Sequence, residues 1–290
     1  MLVPERARKC VVFLGIKEAG AEFSPRATGF TVEIEDQQKH RWFYLVTAGH
    51  VVSQVVSLGR DIWVRINNKD DKPEELEIAS KDWFYHPERA TTDVAICPIS
   101  PPDEKHDIAA VPVLGPRSVA AIPEVIKDVR MGVGDEVVIT GLFRSHYGQQ
   151  RNVPITRIGN IAMLNDEPVK TKHYGYVDAY LIEARSIGGL SGSPAFVHLP
   201  AIRVMDGKPL RSEKPTFQLY LLGLIHGHFD IEDLNSDVAL EDQSDATSGI
   251  NAGIGVVIPV EKIIETIMQP ELIEIRQKAV EEHQKKQTTG

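Results

Sequence analysis

The chain has 290 residues, and its 32 basic and 41 acidic side chains give a formal net charge of −9 at pH 7. This charge argues against general binding to nucleic acid or to anionic membranes, because no basic field would attract their phosphates. No apolar run approaches the length of a membrane span. The length is sufficient for one large domain or a pair of small barrels with a substantial core.

The apolar segments of the first 260 residues are short and separated by turn residues, so they predict β-strands. They cover residues 11–14, 28–34, 42–47, 62–66, 94–97, 136–141, 176–182 and 217–225. Such a density of short strands favours a β-sandwich or barrel over alternating βα units. We therefore predict an all-β fold.

The remaining segments suggest how the chain is organised. The proline-rich segment 98–123 is typical of a bridge. Around it we expect a single domain, 1–290, with a first β-barrel at 9–100 and a second at 101–259. In the tail, 260–287, apolar residues recur at helical spacing and predict a helix that packs across a barrel. A helix that binds a partner is the alternative.

Three polar residues follow one another in the order histidine, aspartate, serine. His50 comes just after the third apolar segment, and Asp93 comes just before the fifth. Ser191 lies in the small-residue motif G-x-S-G-x-P, residues 189–194. Triads on unrelated folds differ in this chain order, and His–Asp–Ser is the order of the chymotrypsin fold.

These residue types together fit nucleophilic catalysis. A serine hydroxyl becomes an effective nucleophile when a base takes its proton, and histidine titrates in the right range. A buried carboxylate on the other ring nitrogen fixes the tautomer and stabilises the imidazolium. We therefore assign Ser191 as nucleophile, His50 as general base and then acid, and Asp93 as the orienting group.

Other histidines and serines are alternatives to this assignment. They are His40, His86, His106, His173, Ser186 and Ser193. The four histidines lie in polar surroundings without a partner motif, and neither serine has the flanking glycine pattern of Ser191. Each member of the proposed triad alone could be an ordinary turn or packing residue, but their compatible spacings favour the triad.

On these residues the chain resembles a trypsin-like serine protease, closest to the bacterial HtrA/DegP-type branch. The approach to the serine, 183–192, and the strand 253–259, G-I-G-V-V-I-P, parallel that branch. The segment 27–30, A-T-G-F, is similar to the G-x-G-F motif of the family. The resemblance implies a two-barrel chymotrypsin-like fold with a C-terminal helix, and we expect no PDZ domain because no PDZ-like segment follows.

The resemblance also implies the other parts of the site. The backbone N–H groups of Gly189 and Ser191 would form the oxyanion hole, whose geometry a side chain at residue 189 would hinder. We expect no metal and no organic cofactor, since Cys and His pairs at metal-ligand spacing are absent from the sequence. Leu190 replaces the aspartate of cleavage-activated trypsins, so we expect a chain that is active as translated or is controlled by a loop or partner.

Substrate recognition is assigned to residues near the nucleophile. By the resemblance, Arg185 lies near the base of the primary specificity pocket, and the strand 221–226 pairs with the substrate backbone. We therefore predict a preference for an acidic or polar residue before the scissile bond, unless Arg185 points to solvent. The residues expected to contact substrate are Arg185, Leu224, Ile225, His226 and His228.

Two polar segments near this strand have alternative interpretations. The acidic segment 228–250 is either a solvated loop, a gate over the site, or a segment that repels acidic substrates. The insertion 203–214 carries several basic residues and either pairs with that segment or forms a surface hairpin.

The sequence thus predicts a serine endopeptidase that acts on a protein or peptide substrate through an acyl-enzyme. The alternatives are a latent effector protease that a regulatory protein partner activates, and an inactive binding protein on a protease fold. The two cysteines, Cys10 and Cys97, are too few for a disulfide framework and are expected to be buried free thiols. The first residues lack the pattern of a secretory signal, so a cytoplasmic location is expected.

Overall fold

The computed structural model describes residues 2–18, 20–102, 104–171, 174–184, 189–200, 202–205, 208–211, 219–230 and 251–288. Most of the regular structure in these ranges is β-strand, arranged in two units that meet at a cleft. None of the helices within them is both long and apolar enough to span a bilayer.

The first unit is a curled sheet of eight strands. They are β1 (Val11–Ile16), β2 (Ser24–Glu35), β3 (Arg41–Thr47), β4 (Ile62–Ile66), β5 (Glu74–Ile78), β6 (Phe84–Tyr85), β7 (Ala95–Ile99) and β8 (Val111–Leu114). Their order is β5-β4-β1-β2-β3-β7-β6, with β8 parallel to β2. Because β8 pairs with β2, the first unit extends past residue 100. The proline at position 112 is tolerated because β8 lies at an edge of the sheet.

The second unit is a closed six-stranded barrel in the order β10-β13-β18-β17-β14-β9. Its strands are β9 (Glu136–Gly141), β10 (Ile155–Met163), β13 (Tyr180–Glu183), β14 (Pro194–His198), β17 (Leu219–Asp230) and β18 (Asn251–Pro259). Two small hairpins project from it, β11 (Val169–Thr171) with β12 (Gly175–Val177) and β15 (Ile202–Met205) with β16 (Lys208–Arg211). The insertion after residue 202 thus begins as a hairpin, in which Arg203 pairs with Asp135 of the barrel at 2.9 Å.

Helices occupy the ends of the chain and two connections. They are α1 (Glu5–Lys9), α2 (Gly49–Ser57), α3 (Pro123–Val129), α4 (Val260–Ile267) and α5 (Pro270–Thr288), with a short 3-10 turn at Ser80–Asp82. Val260, Ile263 and Ile267 of α4 are buried against strands of both units. The predicted all-β class with a packed C-terminal helix is confirmed.

Each unit has apolar side chains at its centre. In the first, all six residues of β1 are buried, as is most of β2, so this hairpin lies inside the curled sheet. Cys10 and Cys97 are both buried and free, as expected, and burial raises the pKa of each thiol to about 12. Neither thiol is therefore poised to act as a nucleophile at neutral pH.

A buried arginine joins the two units. Arg65 of β4 donates to the Asn152 Oδ1 at 2.8 Å and to the carbonyl oxygens of Gly148 and Gln149 at 3.1 and 2.6 Å. The neighbouring Asn67 exchanges two hydrogen bonds with Asn152. The connection between β9 and β10 is thereby held against the first sheet.

Candidate active site

Asp93 lies at the centre of the site and is fully buried. Its Oδ1 accepts a hydrogen bond from the backbone N–H of His50 at 2.7 Å, and its Oδ2 accepts one from the His50 Nδ1, also at 2.7 Å. Two contacts with the same residue fix both the position and the orientation of the imidazole. The structure thus brings His50 and Asp93 together.

The local sequence explains how His50 reaches this carboxylate. The strand β3 ends at Thr47, and α2 begins at Gly49, so His50 lies in the first turn of a helix. Gly49 faces Asp93 closely, and a Cβ at this position would lie 3.1 Å from the Asp93 Oδ1. The small residue before His50 therefore allows the close approach of the helix to the carboxylate.

Two further donors complete the shell around Asp93. The hydroxyl of Tyr174 donates to the Oδ1 at 2.9 Å, and the Nδ1 of His226 donates to the Oδ2 in a short hydrogen bond. The His226 ring lies edge-on to the rings of both His50 and Tyr174, with centroids 5.5 and 5.3 Å away. Asp93 thus accepts four hydrogen bonds from three residues, two from His50 and one each from Tyr174 and His226.

The protonation of Asp93 follows from this shell. Burial alone would raise the pKa of the carboxyl group, but the hydrogen bonds from His226 and His50 outweigh burial and lower the pKa below its usual value. Asp93 is therefore ionised at neutral pH. An ionised carboxylate is the form that orients an imidazole and stabilises its protonated state.

Ser191 lies beside this cluster in the turn before β14. Its hydroxyl donates to the backbone carbonyl of His226 at 3.3 Å, and the hydrogen bonds of the described residues include none between Ser191 and His50. The alternative hydroxyl, that of Ser193, is fully buried and has no partner within the described ranges. Of these two serines, only Ser191 is partly exposed to the cleft.

The turn around Ser191 is held by a residue of the first unit. The hydroxyl of Thr28 donates to the carbonyl of Gly189 at 2.7 Å and accepts from the N–H of Leu142 at 2.9 Å. The N–H of Thr28 donates to the carbonyl of Ser191 at 3.1 Å. The position of the candidate nucleophile therefore depends on contact between the two units.

Two glycines of this turn have backbone conformations that side chains rarely adopt. Gly189 has φ +103° and Gly192 has φ +80°. A Cβ at Gly192 would lie 2.3 Å from both the carbonyl of Thr28 and the hydroxyl of Thr47. Within the described part of the chain, the N–H groups of Gly189 and Ser191 have no acceptor, and the left-handed glycine leaves room for both.

The residues expected to contact substrate have different surroundings. The side chains of Leu224 and Ile225 are buried in the core, and β17 is paired there with protein backbone on both sides. Strand pairing with β14 ends at Leu224, so the edge of β17 that no strand of the described residues covers begins at His226. A continuous apolar run in a doubly paired strand explains why these two positions are buried. Arg185 and the side chain of His228 lie outside the described residues.

The other histidines lie elsewhere and pair with carboxylates. His40 contacts Asp36, His86 contacts Glu265, and His106 contacts Glu74. His173 and Ser186 are not among the described residues.

One group of side chains could geometrically hold a metal ion. It consists of His50, Asp93 and His226, whose ligand atoms lie within 4.8 Å of one another, and no other such group occurs in the part of the chain that is described. The same nitrogen and oxygen atoms are joined by hydrogen bonds. These bonds account for the cluster without an ion.

Sequence reasoning missed two residues of this site. Tyr174 follows β11 in a connection whose path no local pattern predicts. Thr28 lies in the A-T-G-F segment, which was compared with a family motif but not assigned a contact with the serine turn. Because residues 27–34 of β2 are continuously buried, the strand gives no sequence signal for a hydroxyl that faces the other unit.

Comparisons with known proteins support the fold. No protein-family model matches the sequence, and no curated protein sequence is a significant match. Among solved structures, the protease domain of MamO from Magnetospirillum magneticum is similar with a TM-score of 0.52 and 14% identity, covering 91% of this chain and 99% of that domain. Deg5 (TM-score 0.48, 13% identity, 90% and 88% coverage) and the HtrA-type protease AlgW with decapeptide (0.47, 15%, 93% and 72%) are also similar. At 14% identity the likeness to the MamO domain shows the fold alone, and the chain has a trypsin-like, chymotrypsin-type protease fold.

Proposed function

We propose that the chain is a serine endopeptidase that hydrolyses peptide bonds through an acyl-enzyme. Ser191 is the nucleophile, His50 the general base and then acid, and Asp93 the orienting carboxylate. One observation carries the proposal: the buried, ionised Asp93 holds both the backbone N–H and the Nδ1 of His50 beside a partly exposed serine.

The reaction would proceed in two halves. The Ser191 oxygen attacks the substrate carbonyl carbon while His50 takes the hydroxyl proton, and the resulting oxyanion accepts hydrogen bonds from the N–H groups of Gly189 and Ser191. The C–N bond then breaks, and His50 delivers the proton to the leaving amine. Water, activated by His50, hydrolyses the ester and restores the serine.

The open edge of β17 would align the substrate. An extended peptide adds a strand to an unpaired edge by main-chain hydrogen bonds, and this edge begins at His226. The carbonyl of His226 accepts the Ser191 hydroxyl at 3.3 Å. A substrate N–H that takes over this carbonyl would free the hydroxyl to donate to His50.

The same contact supports a second candidate, a latent protease. A serine that donates to a backbone carbonyl rather than to its base is not yet activated. In constitutive enzymes the hydrogen bond between serine and histidine often forms fully only in the substrate complex. A regulatory partner that moves β17 would realign Ser191 in this case. An inactive binding protein on a protease fold is the third candidate.

The experiment is labelling with a fluorophosphonate probe, which reacts with activated serines. We expect a covalent adduct on Ser191 by peptide mass spectrometry in the wild type and none in Ser191→Ala. Ser193→Ala is the matched control, because this neighbouring hydroxyl is buried, and we expect it to label normally. The absence of an adduct in folded protein would contradict the constitutive enzyme, and labelling that appears only with a partner would identify the latent form.

A further inference from the structure

An exposed arginine, Arg89, lies beside the helix that carries His50. Its guanidinium carbon lies 3.7 Å from the centroid of the Tyr85 ring, and its Nη2 donates to the Ser53 Oγ at 2.8 Å. Ser53 in turn donates to the carbonyl of Gly49 at 2.9 Å, next to His50 in the first turn of α2. The guanidinium is therefore stacked on a ring and tied to the helix that carries the candidate base.

The positive charge of Arg89 is within electrostatic reach of the catalytic cluster. Burial, together with the Asp93 carboxylate, raises the pKa of the Tyr174 hydroxyl, and the charge of Arg89 acts on it in the opposite direction. Tyr174 is the donor 2.9 Å from the Asp93 Oδ1, and its ring contacts that of His226. Arg89 thus lies near the tyrosine whose hydroxyl binds Asp93 and whose ring contacts that of His226.

No carboxylate in the described part of the chain forms an ion pair with Arg89. Some other exposed arginines do pair, including Arg60 with Glu18 and Arg151 with Asp107. What distinguishes Arg89 is that its guanidinium is held in place by Tyr85 and Ser53 while no carboxylate of the described residues pairs with it. A guanidinium presents five N–H donors in a planar fork that suits a carboxylate, and Ser53 accepts from one of its nitrogens.

We infer that Arg89, with Tyr85 and Ser53, forms a binding subsite for the carboxylate side chain of a substrate residue close to the scissile bond. This inference rests on the proposed function and names its substrate class, acidic peptides. Tyr85 holds the guanidinium flat by stacking, and Ser53 fixes its rotation, so little side-chain freedom is lost when the acid binds. The acid selectivity expected from Arg185 is thereby assigned to a second residue on the opposite, histidine side of the cleft.

The test is a set of peptides in which one aspartate is moved through the four positions on each side of a common cleavage site, each paired with its asparagine isostere. At one position we expect aspartate to raise kcat/KM about tenfold over asparagine, because a charge-assisted hydrogen bond to a partly exposed arginine is replaced by a neutral one. Arg89→Gln should abolish the difference, and Arg89→Lys should retain part of it. Arg89→Glu should reverse it in favour of lysine at the same position.

Arg60→Gln is the matched control. It removes the same charge from an exposed arginine just beyond the other end of α2, and we expect it to keep the aspartate preference. Thermal melts of all four variants verify folding, since Arg89 is exposed and its replacement leaves no buried group unpaired.

A binding measurement separates this inference from the proposed function. Ser191→Ala is titrated with the same labelled peptides, and the aspartate peptide should bind about tenfold more tightly than its asparagine partner, a difference that Ser191→Ala/Arg89→Gln lacks. Failure to label Ser191 or to cleave any peptide would contradict the proposed enzymatic function. It would not contradict the subsite, which the binding series still measures. Equal affinity for both peptides, a preference that survives Arg89→Gln, or no binding of either peptide would overturn the subsite.

Discussion

At the scale of single residues, the unusual feature of this site is the number of donors around one carboxylate. A buried ionised group is stable only when its lone pairs are satisfied, and Asp93 accepts hydrogen bonds from His50, Tyr174 and His226. His226 contributes twice, because its ring binds Asp93 while its carbonyl accepts the Ser191 hydroxyl. Under the proposed function, it is therefore a positioning residue for the carboxylate and a backbone partner of Ser191.

Replacing His226 separates these two contributions. His226→Ala removes one charge-assisted donor from Asp93, a loss of about 1.5–3 kcal/mol, and we expect kcat to fall about tenfold or more. The carbonyl remains, so KM should change little. His226→Asn places an amide N–H where the imidazole Nδ1 was and should restore most of kcat, as measured by steady-state peptide hydrolysis. A variant with raised KM and unchanged kcat would mean that His226 binds substrate through its ring.

At the scale of elements, β2 links the core of the first unit to the Ser191 turn of the second. Thr28 and Thr31 are both buried on this strand, and both hydroxyls donate to backbone carbonyls. Only Thr28 contacts the Ser191 turn, whereas Thr31 donates to Ala109 within the first unit. Thr28 and Thr31 thus carry similar hydroxyls, but one contacts the second unit and the other contacts the first.

The variants Thr28→Val and Thr31→Val use this difference. Valine keeps the shape but removes the donor to the buried carbonyl of Gly189 or to the half-buried carbonyl of Ala109, so both variants should lower the free energy of unfolding by about 1–3 kcal/mol in denaturant titrations. Only Thr28→Val should also slow fluorophosphonate labelling of Ser191, by about tenfold, since the turn loses its brace. Equal labelling of the two variants at equal folded fraction would show that the Ser191 turn keeps its conformation without the Thr28 hydroxyl.

The elements were predictable from sequence where burial alternates or apolar runs are bounded by turns. The strands around Phe30, Tyr44 and Ile96 and the helix over α4 follow this pattern. The placement of His226 does not, because a register shift in β17 between Ile225 and Gly227 changes which side chains share a face. Tyr174 was beyond local reasoning too, since its contact with Asp93 joins residues 81 positions apart.

At the scale of the whole molecule, the cleft depends on how the two units are held together. Arg65 is almost fully buried and makes three hydrogen bonds to the connection between β9 and β10. Arg151 in that connection also pairs with Asp71 and Asp107 of the first unit, but these pairs are more exposed. Buried and surface contacts between the same two segments can therefore be compared directly.

Arg65→Met is made in the Ser191→Ala background to prevent self-digestion, and we expect it to destabilise the protein more than Arg151→Gln does. It leaves the buried Asn152 Oδ1 and the part-buried carbonyls of Gly148 and Gln149 without this donor, so we expect a loss of about 3 kcal/mol in unfolding free energy and faster cleavage by an added protease at 147–152. Arg151→Gln should cost less than about 1 kcal/mol, because exposed ion pairs contribute little. Similar losses for both variants would contradict a buried clamp.

The distribution of the triad over the two units has a consequence during synthesis. His50 and Asp93 belong to the first sheet and its connections, whereas Ser191 and Gly189 belong to the barrel and are braced by Thr28 from across the boundary. A ribosome-bound chain that has completed only its first half carries a base without a nucleophile. Under the proposed function, the hydrolytic activity would arise only when the last strands have docked, so an unfinished copy would be harmless to the proteins around it.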